Sequence, residues 1–341
     1  TGASMTTGIN NTLIGGLAGD AITDADENTA VGHNALTSET LGNQSTAIGR
    51  GALTNQNFTT AVNAISTAVG FNAGGAVTTG VNNVLIGGYA GDALTGTADY
   101  SGGSNNVAVG RAALGADTLG SSTVAIGFET LLAQNFTSTT ESHNTAVGHR
   151  AGLAVTTGDQ NTLIGALAGD ALTTGNKNVA VGKDALTGGT TYDGNTAIGW
   201  EALKVADNTS GSDGNNVAVG ANCGAAVSSG IRNVLVGVSA GATLRTGGGN
   251  VLLGQGTDVS AAAAENQITI GQSIACDQDS QVTIGKASNV VKLEFDTDAT
   301  WTRSSDVRKK KNIENSTLGL DFVNDLRPVT FEWKPNNEFP K

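Results

Sequence analysis

Asn28-Thr29-Ala30-Val31-Gly32 returns seventeen residues later as Ser45-Thr46-Ala47-Ile48-Gly49, and twenty-one residues beyond that as Ser66-Thr67-Ala68-Val69-Gly70. The phrase also closes at Gly15, Gly87, Gly110, Gly127, Gly148, Gly165, Gly182, Gly199, Gly220, Gly237, Gly254, Gly271 and Gly285, which makes sixteen copies. The base spacing is 17 residues, with insertions of four or six after the copies ending at Gly49, Gly87, Gly127 and Gly199. A fixed period with occasional insertions is what a coiled backbone with loops on some turns requires. A helical reading fails, because Gly and β-branched residues at this density cost each turn roughly a kcal/mol or more. The residue before the glycine is Val or Ile in 15 of the 16 copies. With the Thr or Val two positions earlier it forms one face of a short strand, while the Ala or Leu between them points the other way. The interior is then expected to hold mostly Ala, Val and Ile, with an Ala/Gly face left bare. Ala follows three residues after the glycine in 11 of the first 13 copies, a slot that admits only small side chains.

Composition supports a narrow core and excludes wide ones. Of 341 residues 49 are Gly and only 3 are Pro, aromatics make up 4% and charged residues 14%. Such a chain cannot fill a wide globular interior. Glycine lacks the strict every-third spacing of collagen, and no apolar run is long enough to insert in a membrane as a helix. The net charge of −12 disfavours a nucleic-acid partner, which needs a basic face. Thr1 in place of an initiator Met reads as a fragment or processed product. The composition breaks after Gly285: residues 1–285 hold 48 of the 49 glycines, no proline, and 8 Lys/Arg against 21 Asp/Glu. The expected organisation is a repetitive β-solenoid over 1–285, a β connector over 286–304 and an unlike piece over 305–341.

A longer period overlies the short one. Leu13-Ile-Gly-Gly-Leu-Ala-Gly-Asp20 returns at Leu85–Asp92 and Leu163–Asp170, and loosely at Leu235–Ala242, which is every fourth rung. Sixteen rungs at about 4.8 Å each predict a body of roughly 75 Å. Identical thin solenoids that expose a smooth flank favour closed rotational assembly, and three chains around one axis are expected. Cys223 occupies an Ala slot and reads as a small buried residue, and Cys276 is given no role. His33 and His149 directly follow repeat glycines; a three-nitrogen metal site on an axis is one reading, and a strand-end tip the preferred one. Asp20, Asp92 and Asp170 read as turn residues before calcium ligands. No metal or cofactor is assigned. Phe58, Tyr100 and Phe136 lie in inserted loops and Tyr192 in a loop of ordinary length. They are candidates for stacking on sugars, with packing against the solenoid as the equal alternative.

The repeats over residues 9–285 resemble the head of trimeric autotransporter adhesins (YadA-like), whose Asn-Ser-x-Ala-Ile-Gly phrase builds a left-handed parallel β-roll in a trimer. The shorter period of that family appears here only in the Gly271–Gly285 step. The C-terminal stretch Ser305-Asp306-Val307-Arg308-Lys309-Lys310-Lys311-Asn312-Ile313, with Leu318–Leu326 and Pro328–Lys334, resembles the opening of the intramolecular chaperone auto-processing domain that ends many bacteriophage tail fibres and tailspikes. That resemblance implies an amphipathic helix and a strand, hence a short α+β piece. It also implies a Ser–Lys dyad, in which Ser305 would attack the Ser304–Ser305 bond with Lys310 as base. With 37 residues following Ser304, the piece reads as the beginning of that domain. Together the resemblances imply an all-β, homotrimeric fibre protein of a phage virion, extracellular, that serves host attachment or fibre extension. Its expected partners are its own copies, other tail proteins and a host surface receptor of glycan type, with self-cleavage as the one chemistry and no substrate turnover. The alternatives are a tailspike depolymerase, which would need paired carboxylates on a groove, and a bacterial surface adhesin.

Overall fold

The computed structural model describes residues 1–207, 213–297 and 302–303. Each repeat phrase forms one short strand, and the sixteen strands stack into a single parallel ladder from Thr12–Ile14 to Gln281–Lys286. The fold is an all-β parallel solenoid with one strand per rung, and no helix occurs among the described residues. Register is strict: Leu13 lies beside Ala30, Ala30 beside Ala47, and Ala47 beside Ala68. After the last rung the chain reverses, and Asn289–Glu294 pairs antiparallel with Gln281–Lys286 and then with Thr302–Arg303. Two-residue side ladders, Gly42–Asn43 with Val62–Asn63 and Gly120–Ser121 with Thr140–Glu141, mark where insertions leave the main coil. The expected helix near residues 318–326 and the rest of 305–341 lie outside the described residues.

The repeat glycine serves two needs at once. At Gly32 φ is +135°, a conformation that side chains rarely adopt, and an added Cβ would stand 2.6 Å from the carbonyl oxygen of Gly49 in the next rung. The backbones of successive rungs touch at this corner. Two residues later the chain turns through a left-handed position occupied by ordinary residues, such as Asn34 (φ 60°) and Tyr89 (φ 60°). The N–H of each donates to the rung before it, Asn34 to the Gly16 carbonyl at 3.0 Å and Tyr89 to the Phe71 carbonyl at 2.9 Å. Rung-to-rung hydrogen bonds thus hold a turn that local preference would resist.

The faces of the strand are inverted relative to the sequence reading. The central Ala or Leu of each strand is the buried one, as at Ala30, Ala47, Ala68 and Leu85. The branched residue before the glycine points out, with Ile48, Ile86, Ile126, Ile164 and Ile198 among the exposed large hydrophobics. The coil is too narrow for a β-branched side chain in every rung, so Ala fills the strand centre and the bare face is Thr/Val and Ile/Val. Parallel sheets rarely leave such a face to water.

The four-rung period is a packing code. Where the strand centre is Leu85, the position four after the repeat glycine is Gly91, whose added Cβ would meet Leu85 Cδ2 at 2.7 Å. Where the centre is Ala30 or Ala47, that position is a buried Leu, Leu36 or Leu53. In the fourth rung both are small, Ala68 and Gly74, and Leu85 from above and Leu53 from below close on the gap, 2.7 and 2.9 Å from the site of a Gly74 Cβ. Large and small side chains alternate, so Leu36, Leu53 and Leu85 are fully buried, stabilising the coil by roughly 1.5–3 kcal/mol per side chain.

A polar column runs inside the same core. The Asn that opens most phrases is buried, and its Oδ1 accepts the backbone N–H of the equivalent residue one rung on: Asn144 from Asn161 at 2.8 Å, Asn178 from Asn195 at 2.9 Å, Asn216 from Asn233 at 3.0 Å. Its Nδ2 donates to a carbonyl fourteen residues ahead, Asn161 to Gly175 at 2.8 Å and Asn178 to Tyr192 at 2.7 Å. The ladder satisfies the backbone at a corner where no strand pairing can.

Candidate functional site

The candidate sugar-stacking aromatics divide on burial. Phe58 and Tyr192 are fully buried and Phe136 nearly so, and the rings close loops instead of facing solvent. This corrects the stacking expectation for those three, and the cause is polar. Glu39 is buried, and its Oε1 accepts the N–H groups of Thr40, Gly42 and Phe58 at 2.9, 2.6 and 3.1 Å, while Oε2 accepts Gln56 Nε2 at 3.0 Å. Asp117 repeats the arrangement 78 residues on: Oδ1 accepts Gly120 and Phe136 N–H at 3.0 and 3.1 Å, and Oδ2 accepts Gln134 Nε2 at 2.7 Å. Each carboxylate pins the backbone at the phenylalanine, and so draws the ring over the core. In the third block Gly189 and Ala206 stand at the positions of the acid and the glutamine, and Tyr192 takes the place of Gly42 and Gly120. Its ring fills the vacated room, its hydroxyl donates to the Gly230 carbonyl at 2.8 Å, and burial pushes the phenol up to about 12. Tyr100 remains half-buried, its ring tilted against Phe58 at 5.7 Å and its hydroxyl 3.1 Å from Thr60 Oγ1.

The solvent-facing aromatics lie elsewhere, in the column formed by the residue after each repeat glycine. The Arg50 guanidinium lies 5.3 Å from the Phe71 ring centre, and Phe71 packs edge-on against Tyr89 at 5.2 Å. Further along, Arg111 and Arg150 lie 5.5 and 5.8 Å from the ring of Phe128, which stacks on His149 at 5.5 Å. Glu129 joins the two arginines, 2.9 Å from Arg150 Nε and 3.4 Å from Arg111. Trp200 occupies the same column and is 49% exposed. Half of the eight Lys/Arg of residues 1–285 sit in this column or beside it: Arg50, Arg111, Arg150 and Lys183. Cation–π contacts of this kind contribute about 0.5–1 kcal/mol each when exposed, so they orient the side chains more than they hold the fold.

His149 is thus a stacking partner and His33 an exposed tip. Among the described residues no group of three or more His, Cys, Asp or Glu could hold a metal ion. Burial raises the Asp92 and Asp170 carboxyls above their usual range. Cys223 is buried, its thiol pushed up to about 11 by desolvation, and Cys276 is buried as well; both are free thiols. No helix among the described residues is long and apolar enough to cross a membrane. Ser305, Lys310 and the Ser304–Ser305 bond lie outside the described residues.

Sequence reading missed the polar clusters and the cation–aromatic column. The first had a signal in the recurrence of Glu39-Thr40-Leu41-Gly42 as Asp117-Thr118-Leu119-Gly120, with Gln56-Asn57-Phe58-Thr59 as Gln134-Asn135-Phe136-Thr137. The second had one in the alternation of Arg, aromatic and His directly after the repeat glycines.

Compared with known families, residues 305–340 match Peptidase S74, the chaperone of endosialidase. No curated protein and no solved structure matches the chain. A β-solenoid followed by this segment is an arrangement typical of phage tail fibre and tailspike proteins.

Proposed function

We propose that the chain is the shaft and attachment part of a homotrimeric tail fibre, in which the Ile/Val face of each solenoid is buried against the other two chains. The observation that carries this reading is the outward row of branched aliphatics, in register along the sixteen-strand sheet. Isolated exposed apolar residues need no explanation, but a continuous file of them marks an interaction surface. Chaperone-of-endosialidase segments act in trimeric fibres, and a registering aid fits slow non-local pairing among three chains. The work of such a fibre is host attachment or extension in the virion tail, with other tail proteins and a host surface receptor as its partners. Ser305 and Lys310 are the dyad for a single self-cleavage at Ser304–Ser305. The lysine amine takes the serine proton, and the oxygen attacks the Ser304 carbonyl carbon. The Ser304–Ser305 C–N bond breaks as the lysine returns that proton to the departing Ser305 nitrogen, and water hydrolyses the resulting ester to a Ser304 carboxylate and the Ser305 hydroxyl.

Light scattering of the full chain tests the assembly. The wild type is expected as a trimer, and Ile164→Lys, a charge in the middle of the apolar row, as monomer with the solenoid intact by circular dichroism. A wild-type monomer in dilute solution overturns the reading. Mass analysis of Ser305→Ala against wild type tests the dyad, since cleavage that persists in the variant removes Ser305 from the chemistry.

A further inference from the structure

The cation–aromatic column has no part in the core and no place in the row of branched aliphatics. Between Phe71 and Arg111 it is interrupted by Gly88, where an added Cβ would meet nothing nearer than the Phe71 carbonyl oxygen at 3.8 Å. The result is an open notch floored by backbone, with the exposed Phe71–Tyr89 pair on one side and Arg111 on the other. The Arg50 guanidinium, set over Phe71, makes no ion pair or hydrogen bond among the described residues. Arg111 is the more exposed partner of Glu129, at 61%. These cations stand on a body that carries a net −13 over residues 1–285. An apolar ring wall beside an open notch suits the flat face of a sugar, and forked donors over it suit a carboxylate.

From this juxtaposition we propose that the notch at Gly88, between Phe71–Tyr89 and Arg111, is a binding site for an acidic polysaccharide bearing one carboxylate per disaccharide. Spacing favours that polymer over a nucleic acid. Arg50 and Arg111 are three rungs apart, about 14 Å, and Arg111 and Arg150 two rungs, about 10 Å. One strand of a nucleic-acid duplex brings a phosphate about every 3.4 Å, most of which would face an acidic body uncompensated, whereas one carboxylate per disaccharide, about 10 Å of chain, matches the two-rung step. Polymer length adds affinity, because a chain held at Gly88 presents its next carboxylates to Phe128–Arg150 at high effective concentration. The site deepens the attachment reading and rests on it.

The test is titration calorimetry of the full chain with hyaluronate oligomers, short and long, against dextran and oligo-dT of matched length. Hyaluronate is expected to bind with affinity that rises with length and falls with salt. Arg111→Ala removes a charge-assisted contact and Gly88→Leu fills the notch, and each is expected to weaken binding about tenfold or more. The φ of Gly88 is one that side chains accept, so the second variant tests the site without backbone strain. No hyaluronate binding, equal binding of dextran, or tighter binding of oligo-dT overturns the proposal. So does Arg111→Ala changing the oligomeric state, which would make the column a chain–chain contact. A fibre that adheres to host cells yet ignores hyaluronate would leave attachment standing and remove only the acidic-glycan site.

Discussion

Ser66→Asn should stabilise the protein, and the reason lies in the comparison of two nearly identical modules. In the second block Asn144 donates from Nδ2 to Gln134 Oε1 at 2.9 Å and to the Gly158 carbonyl at 2.7 Å, and its Oδ1 accepts Asn161 N–H at 2.8 Å. In the first block the equivalent residue is Ser66, whose hydroxyl accepts Asn83 N–H at 3.3 Å and donates to the Ala64 carbonyl at 3.4 Å, and which leaves Gln56 Oε1 buried without a partner. An orphaned buried acceptor costs about 1–3 kcal/mol. Ordering the longer side chain takes back up to about 1 kcal/mol. The expected net gain is about 1–2 kcal/mol, or about 5–30-fold in the opening equilibrium. Because long repeat arrays need not unfold in one step, the reading should be local. Hydrogen exchange at the Thr67 and Asn83 amides should slow by that factor while rungs beyond Asn161 are unchanged. Asn144→Ser should produce the mirror-image loss around Gln134. Unchanged or faster exchange in Ser66→Asn would refute the equivalence of the two modules, and with it the account of the polar core.

Asn178→Ala strips partners from the buried Asn195 N–H and from the Tyr192 carbonyl, so a loss of about 2–4 kcal/mol is expected by denaturant titration; a loss below about 0.5 kcal/mol would show that the ladder is dispensable. Burial raises the Asp92 carboxyl above its ordinary 3.8, so the native state prefers it protonated, and its contribution is full below 3.8 and lost as pH rises through the raised value. Asp92→Asn should therefore raise the melting temperature at neutral pH, with the difference closing as pH is lowered through 3.8. The Cys223 thiol, at about 11 and buried, should resist alkylation at pH 8 until the chain unfolds; labelling in the native state at the rate of a free thiol would show that the Leu235 rung opens on its own.

The period of the glycine made the coil legible, since nothing but a repeated close approach of backbones calls for Gly at the same place in sixteen rungs. The facing of the strands was not legible from the phrase alone. Ile48 and Ala47 are both apolar, and only the width of the coil decides that the smaller goes inside. The aromatics show the same limit: Phe58 and Phe136 sit in inserted loops, where exposure is the ordinary expectation. What pulls them in is a carboxylate on the preceding rung, a relation across about twenty residues that periodicity does not report. Phe71 and Trp200, by contrast, directly follow the regular phrase, which draws attention to strands and away from the turns that carry them outward.

The alternation of Leu85 with Gly91, and of Ala68 and Gly74 with their Leu neighbours, has a consequence for how such a chain changes through descent. Deleting a coil such as that of Ala68 and Gly74 would bring Leu53 against Leu85, and deleting the Leu85 coil would leave the gap at Gly74 half filled, whereas the two Ala/Leu coils of a block are interchangeable and a segment of four restores every match. Tandem duplication of a whole block therefore lengthens the body by about 19 Å with every match kept, while single-coil changes are confined to the interchangeable Ala/Leu coils.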